Sequence, residues 1–219
     1  MFSFLQSLFS KKAKADISFF IVPDPGWEKI TNDATARRWR NEEHTKALSL
    51  HFFQLSPDLP SIKDVNLLRK YYRRLMIGMN TGIIEVEVVR QRSLPYVKTI
   101  VKSKQEGGGI LYVGALTFPF KNCSYVVKVE AIETGATGMR ETIIADRLMK
   151  EGKSAADDWA SDPYDSSFTE GVLMNKAEDA VYDAAFPAHS LTVVREMLAL
   201  LEKEVSWKPE AEGLPAFSK

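Results

Sequence analysis

Ile84-Glu85-Val86-Glu87-Val88, Val97-Lys98-Thr99-Ile100-Val101-Lys102, Ile110-Leu111-Tyr112-Val113-Gly114-Ala115-Leu116 and Cys123-Ser124-Tyr125-Val126-Val127-Lys128-Val129 follow one another between Gly82 and Ala131. Each run is rich in β-branched and aromatic residues, and each sets one class of side chain at every second position, the period of a strand. The connections are short: Ser93-Leu94-Pro95, Glu106-Gly107-Gly108 and Pro119-Phe120-Lys121-Asn122. A parallel crossover needs a dozen or more residues, so successive runs can pair only as antiparallel neighbours. The stretch therefore predicts a four-strand meander. Charges along one side of the first two runs predict that this side is partly solvated.

Helical signals flank the meander. Ser56-Pro57-Asp58-Leu59-Pro60 interrupts the chain, and Ser61, three residues before Asp64, approximates a capping box. Val65, Leu68, Tyr72, Leu75, Met76 and Met79 then recur at three- and four-residue steps, with Lys63, Arg69, Lys70, Arg73 and Arg74 largely elsewhere. This predicts an amphipathic basic helix ending near Asn80-Thr81-Gly82. Upstream, Ile17 to Val22 reads as a first strand closed by the turn Pro23-Asp24-Pro25-Gly26. Ala36–Arg40 reads as a loop or short strand, and Lys46 to Leu55 as a second extended run.

Downstream, a helix is expected over Met139–Lys150, followed by a long loop from Gly152. A short helix over Lys176–Ala185 and a longer one over Leu191–Val205 follow, with Ser190 as the N-cap candidate of the latter. Leu191, Val194, Leu198, Leu201 and Val205 form the stripe it would bury. The fold class is thus α+β: an antiparallel meander flanked by helices, with a C-terminal helical extension. Three parts are expected: an amphipathic segment over residues 1–15, an α+β domain over 16–151, and an acidic loop and helical extension over 152–219 packed on it.

Twenty-nine basic residues balance twenty-nine acidic ones, but unevenly. Residues 1–150 carry an excess of eight cations and residues 151–219 an equal excess of anions. The reading favoured here is neutralisation within the chain; the alternative is that each part faces its own partner. Cys123 is the only cysteine, which excludes an intrachain disulfide and a cysteine-rich metal site, and makes a reducing cytoplasm the default compartment. No apolar run approaches the ~20 residues that span a bilayer. Phe2, Leu5, Leu8 and Phe9 share one helical face ahead of Lys11, Lys12 and Lys14. Residues 1–14 could dock on the chain's own core, bind a partner, or make weak contact with a membrane surface.

Motifs that carry chemistry are weak. Thr134-Gly135-Ala136-Thr137-Gly138 resembles the opening of a dinucleotide fingerprint, but Glu141 stands where a third glycine belongs and no βαβ unit surrounds it. His44, His51 and His189 lack the spacing of a zinc motif, and no serine sits in a nucleophile elbow. Asp157, Asp158, Asp162 and Asp165 lack the spacing of a calcium loop and read as a solvated acidic loop. Leu68-Arg69-Lys70-Tyr71-Tyr72-Arg73-Arg74 interleaves cations with aromatics. Tyr72 belongs to the apolar stripe, however, and the chain is neutral overall, so no nucleic acid is expected.

The order of elements around Phe20-Ile21-Val22-Pro23-Asp24-Pro25-Gly26-Trp27, the meander, and the helix start Gly138-Met139-Arg140-Glu141 resembles the PsbP-like superfamily over about residues 16–151. That family includes the photosystem II extrinsic protein, the Mog-type Ran-binding factor and bacterial DcrB-like proteins. The resemblance implies a protein-binding module, chaperone-like or adaptor, with no shared active site and no cofactor. The expectation is a non-enzymatic module that grips a protein partner through a sheet face or a groove between sheet and helices. Phe52, Tyr112 and Tyr125 are the candidates to line it, with Arg69 and Arg73 as further partner contacts. The alternative is a small-molecule binder or enzyme with a cup-shaped α+β pocket, which a deep closed cavity holding a histidine or paired acids would favour.

Overall fold

The computed structural model describes residues 14–153 and 159–219. Most of residues 1–14, together with Asp157 and Asp158, lies outside them.

The meander is present and forms one half of a larger sheet. Its strands are β5 (Thr81–Val89), β6 (Tyr96–Lys104), β7 (Ile110–Pro119) and β8 (Ser124–Ile132). Before them in sequence come β1 (Phe20–Ile21), β2 (Glu28–Asn32), β3 (Ala36–Arg40) and β4 (Lys46–Phe53). β4 pairs antiparallel with β8, so the order across the seven-stranded sheet is β2-β3-β4-β8-β7-β6-β5, antiparallel throughout. The fold is α+β, a seven-stranded antiparallel sheet flanked by helices.

The expected first strand is mostly something else. Residues Ile17–Phe19 make a 3-10 turn whose N-cap, Asp16, accepts from Ser18 N. Only Phe20 and Ile21 are extended. They pair with Ser206–Trp207, well down the chain, and stay outside the main sheet.

The basic helix, α1, spans Val65–Gly78. Its cap is Asp64, whose carboxylate accepts from Asn66 N and Leu67 N, while Ser61 accepts from Lys63 N and Asp64 N one step earlier. The helix gives way at Met79 and Asn80, and Gly82 belongs to β5. α2 (Met139–Lys150) starts on Gly138, which has a left-handed φ of 76°.

The chain beyond Gly152 is woven through the domain. Two-residue strands at Ala160–Ser161 and Met174–Asn175 pair with each other, and 3-10 turns occupy Lys176–Glu178 and Ala180–Ala185 where one short helix was expected. α3 runs Ser190–Glu204, capped by the His189 ring, which accepts from Leu191 N, instead of by Ser190.

Register fixes which side chains share a face. Leu48, Leu50 and Phe52 of β4 stand opposite Val129, Val127 and Tyr125 of β8, which stand opposite Gly114, Leu116 and Phe118 of β7. This face is the main core, and α3 lies across it on β7 and β8. All five residues of the predicted α3 stripe are buried there. Gly114 permits the close approach: a Cβ at that position would sit 2.6 Å from Leu198 Cδ1 and 2.8 Å from Val194 Cγ1. Burying each such Leu or Val stabilises the fold by roughly 1.5–3 kcal/mol relative to exposure.

Candidate interaction surface

The opposite face starts from the residues between those. Ala47, Ser49 and His51 stand opposite Glu130, Lys128 and Val126, which stand opposite Val113, Ala115 and Thr117. Continuing across, Thr117, Ala115 and Val113 meet Val97, Thr99 and Val101 of β6. At that point the face is covered: Val97 is buried with Leu68 and Met76 of α1, and Val101 packs against the same cluster. α1 reaches no further than the two outer strands. Over β7, β8, β4 and β3 most of the side chains are half-buried, Ser49 being buried and Phe53 exposed, with no described helix packed above them.

This uncovered floor is mixed in character. Val113, Ala115, Thr117 and Val126 are small or β-branched. Phe53, at the same parity on β4, is 46% exposed and stacks near the His51 ring at 6.1 Å. Lys128 and Glu130 pair at 2.5 Å. Arg38 and Arg40 of β3 extend the floor opposite Ser49 and Ala47. The Nε of each is buried without a hydrogen-bond acceptor. Arg40 lies 3.7 Å from Glu28, while Arg38 has no ion pair among the described residues. A buried donor without an acceptor is costly, so this edge is short of hydrogen-bond acceptors. Burial first, then the charges of Lys128 and Arg38, hold the His51 imidazole below its ordinary 6.5.

One wall of the floor is apolar. Leu67, Tyr71, Leu75 and Met79 lie at four-residue steps along α1, and Leu67, Leu75 and Met79 are exposed. The other flank of α1, with Arg69, Arg73 and Ile77, faces the 160–172 segment at the outer edge of β5. The exposed row therefore points the other way, toward β7. Leu75 and Met79 were expected in the buried stripe, and Arg73 outside it. The structure reverses this because Asp162 supplies Arg73 with a partner inside.

The residues nominated from sequence sit elsewhere. Phe52, Tyr112 and Tyr125 are buried, at 4%, 0% and 0% exposure, on the face that α3 covers. Tyr125 stacks on Phe20 and meets Phe52 and the edge of Phe120 as part of the core. The space above them is filled from within the chain: Phe20, Phe120 and the Asp16 backbone close over Tyr125, and α3 lies farther along the same face. Tyr112 donates to Glu178 Oε1 at 3.0 Å, and burial followed by the charge of Glu178 pushes its hydroxyl pKa up. Arg73 is buried in a two-pronged pair with Asp162, at 2.8 and 2.7 Å. Arg69 pairs with Glu87, donates to Val86 O, and places its guanidinium 3.7 Å from the centre of the Tyr164 ring. Both arginines hold the acidic segment onto the body, and Asp162 is buried instead of lying in a solvated loop.

Sequence reading passed over two other buried anchors. Arg140, fully buried, donates to Ala177 O, Asp179 O, Thr192 Oγ1 and Asp183 Oδ1, joining α2, the 3-10 turns and α3. Glu178 pairs with Lys102 on the sheet and accepts from Asn175 N at 2.7 Å. Arg140 draws its partners from far along the chain, so no local pattern marks it; Glu178 carries a local signal, the capping box with Asn175, but its Lys102 and Tyr112 partners are distant. With Arg73 on Asp162 and Lys98 on Glu202, these pairs join cations of residues 1–150 to carboxylates of residues 151–219 and so offset part of the charge asymmetry within the molecule.

Neither the known family models nor the curated proteins include a match to this sequence. Among solved structures, a protein of Bacteroides thetaiotaomicron is similar at 12% identity and a TM-score of 0.35, over 58% of this chain and 43% of its own. This chain thus spans less than half of that relative's length. The Ran-binding protein Mog1p of Saccharomyces cerevisiae is similar at 10% identity and the same TM-score of 0.35, over 62% of this chain and 79% of its own. Likenesses at that level do not reach function. No described helix is long and apolar enough to cross a membrane.

Proposed function

We propose that this chain is a non-enzymatic protein-interaction module, an adaptor or chaperone-like domain on a PsbP-like frame, and that it binds its partner on the uncovered sheet face. The observation that supports this is the contrast in cover. α3 occupies the aromatic face, while the floor formed by Val113, Ala115, Val126 and Phe53, walled by Leu67 and Leu75, is left to solvent. A matching partner is a protein segment with aliphatic side chains for the floor and carboxylates for Arg38 and Arg40. Such a segment would supply the ion-pair partner that Arg38 lacks among the described residues.

A partner co-purified from native lysate, then titrated as a pure protein, tests the reading. Ala115→Glu in mid-floor and Arg38→Glu at its edge should each weaken binding at least about tenfold, the effect of losing a central contact or reversing a charge. Leu200, exposed on the outside of α3, serves as the control: Leu200→Glu should leave binding unchanged. Equal affinity in all three variants would move the partner off this face. A clear thermal shift with a metabolite, and no protein partner, would replace the proposal with the small-molecule reading.

A further inference from the structure

Three side chains able to ligate a metal converge where β8 runs into α2. Glu133 follows β8, Glu141 lies in the first turn of α2, and His189 caps α3; one ligand atom from each lies within 4.8 Å of the other two. Glu133 is held from both sides, its Oε1 3.0 Å from His189 Nε2 and its Oε2 accepting from Ile110 N at 2.9 Å. Glu141 differs, because its Oε2 is buried and has no hydrogen-bond partner. A carboxylate oxygen out of water and without a donor is costly unless something positive meets it. Glu133 and Glu141 also line an open cleft of about 350 Å³ with Gly109, Thr137 and Gly138, and Glu133 and His189 line a smaller one of about 60 Å³, so the three side chains lie just beneath the surface.

We propose that Glu133, Glu141 and His189 bind a divalent first-row transition-metal ion. One imidazole nitrogen with two carboxylate oxygens suits Mn²⁺, Fe²⁺ or Zn²⁺. The 3.0 Å between Nε2 and Oε1 is the spacing of neighbouring ligands on one ion with bonds of about 2.1 Å. Protons balance within the ring. Nδ1 now accepts from Leu191 N at 3.2 Å, which puts the proton of the neutral ring on Nε2. An ion taking the Nε2 lone pair sends that proton to Nδ1, and the Leu191 amide loses its acceptor. Coordination is thereby tied to the first turn of α3. The site includes none of the floor residues of the open face, so it stands or falls apart from the proposed function.

The test uses the full chain with Zn²⁺ or Mn²⁺ alone. Calorimetry with Zn²⁺ and electron paramagnetic resonance with Mn²⁺ should show one saturable site. Glu141→Gln and His189→Asn should each weaken it at least about tenfold, as ligand loss does. In a nitrogen–proton correlation spectrum, Zn²⁺ should shift the Leu191 amide in the wild type and leave it unmoved in Glu141→Gln. Glu141 is only half-buried, so Glu141→Gln keeps the fold, which circular dichroism verifies, and its result stands even if His189→Asn unfolds. No uptake by the wild type up to about 1 mM metal, or unchanged affinity in Glu141→Gln, overturns the proposal.

Discussion

The two faces of the seven-stranded sheet come from the same strands and differ by one residue of register. One carries Leu48, Leu50, Phe52, Leu116, Phe118 and Tyr125, and is sealed by α3. The other carries Ala47, Ser49, His51, Ala115, Thr117 and Val126, and is roofed only at β5 and β6. Burial follows apolar area, so the face with the larger side chains takes the chain's own amphipathic helix. A partner is then left the poorer face, and affinity there depends on placed charges and a few apolar anchors more than on area.

Substitutions can break this contrast. The largest effect is expected from Leu198→Asp, which sets an unpaired charge under α3; the loss should exceed about 4 kcal/mol and abolish cooperative unfolding in urea. Asp162→Ala comes next, because it removes both hydrogen bonds of the buried Arg73 guanidinium and leaves it only the half-exposed Asp165 carboxylate at 3.8 Å. It should cost about 3 kcal/mol by the same measurement, and Arg73→Met combined with it should restore part of that. On the open face, Ala115→Glu should change stability by no more than about 0.5 kcal/mol, although it is expected to abolish partner binding. A core-sized loss there would mean that the face is covered after all.

The smallest effect is a pH slope. The folded-state pKa of His51 lies below 6.5, so the unfolded chain takes up the proton first as pH falls through that value. Stability is therefore unaffected by His51 above that window and declines within it as pH falls. The urea midpoint should drop between about pH 7 and pH 5.5, and drop less in His51→Gln.

Legibility in the sequence followed locality. The meander, α2 and the α3 stripe rest on periodicity within a dozen residues, and their positions are close to those read from the sequence. β2, Glu-Lys-Ile-Thr-Asn, was passed over because its side chains are nearly all exposed and show no alternation. The binding groove was sought among the aromatics, because large apolar side chains attract a helix; in the structure Phe52, Tyr112 and Tyr125 are buried under other parts of the same chain. In the sequence Arg73 reads as a partner contact, and Arg140 and Glu178 have no legible role, because their partners come largely from other elements, 89 residues away in the case of Arg73 and Asp162. Caps show the same limit at small scale: Asp64 and His189 serve where Ser61 and Ser190 were expected, each settled by a turn geometry one residue wide.

The roof over the aromatic face has a consequence for biosynthesis. All seven strands of the main sheet are made by residue 132, but α3 begins at residue 190, so the ribosome finishes the sheet well before its cover. During that interval the β7 and β8 positions around Gly114 lack the helix that covers them, while Phe20, already made, can stack on Phe118 and Tyr125. A chain that ended between these points would carry the sheet without α3 over it, so truncation before residue 190 should leave an aggregation-prone product.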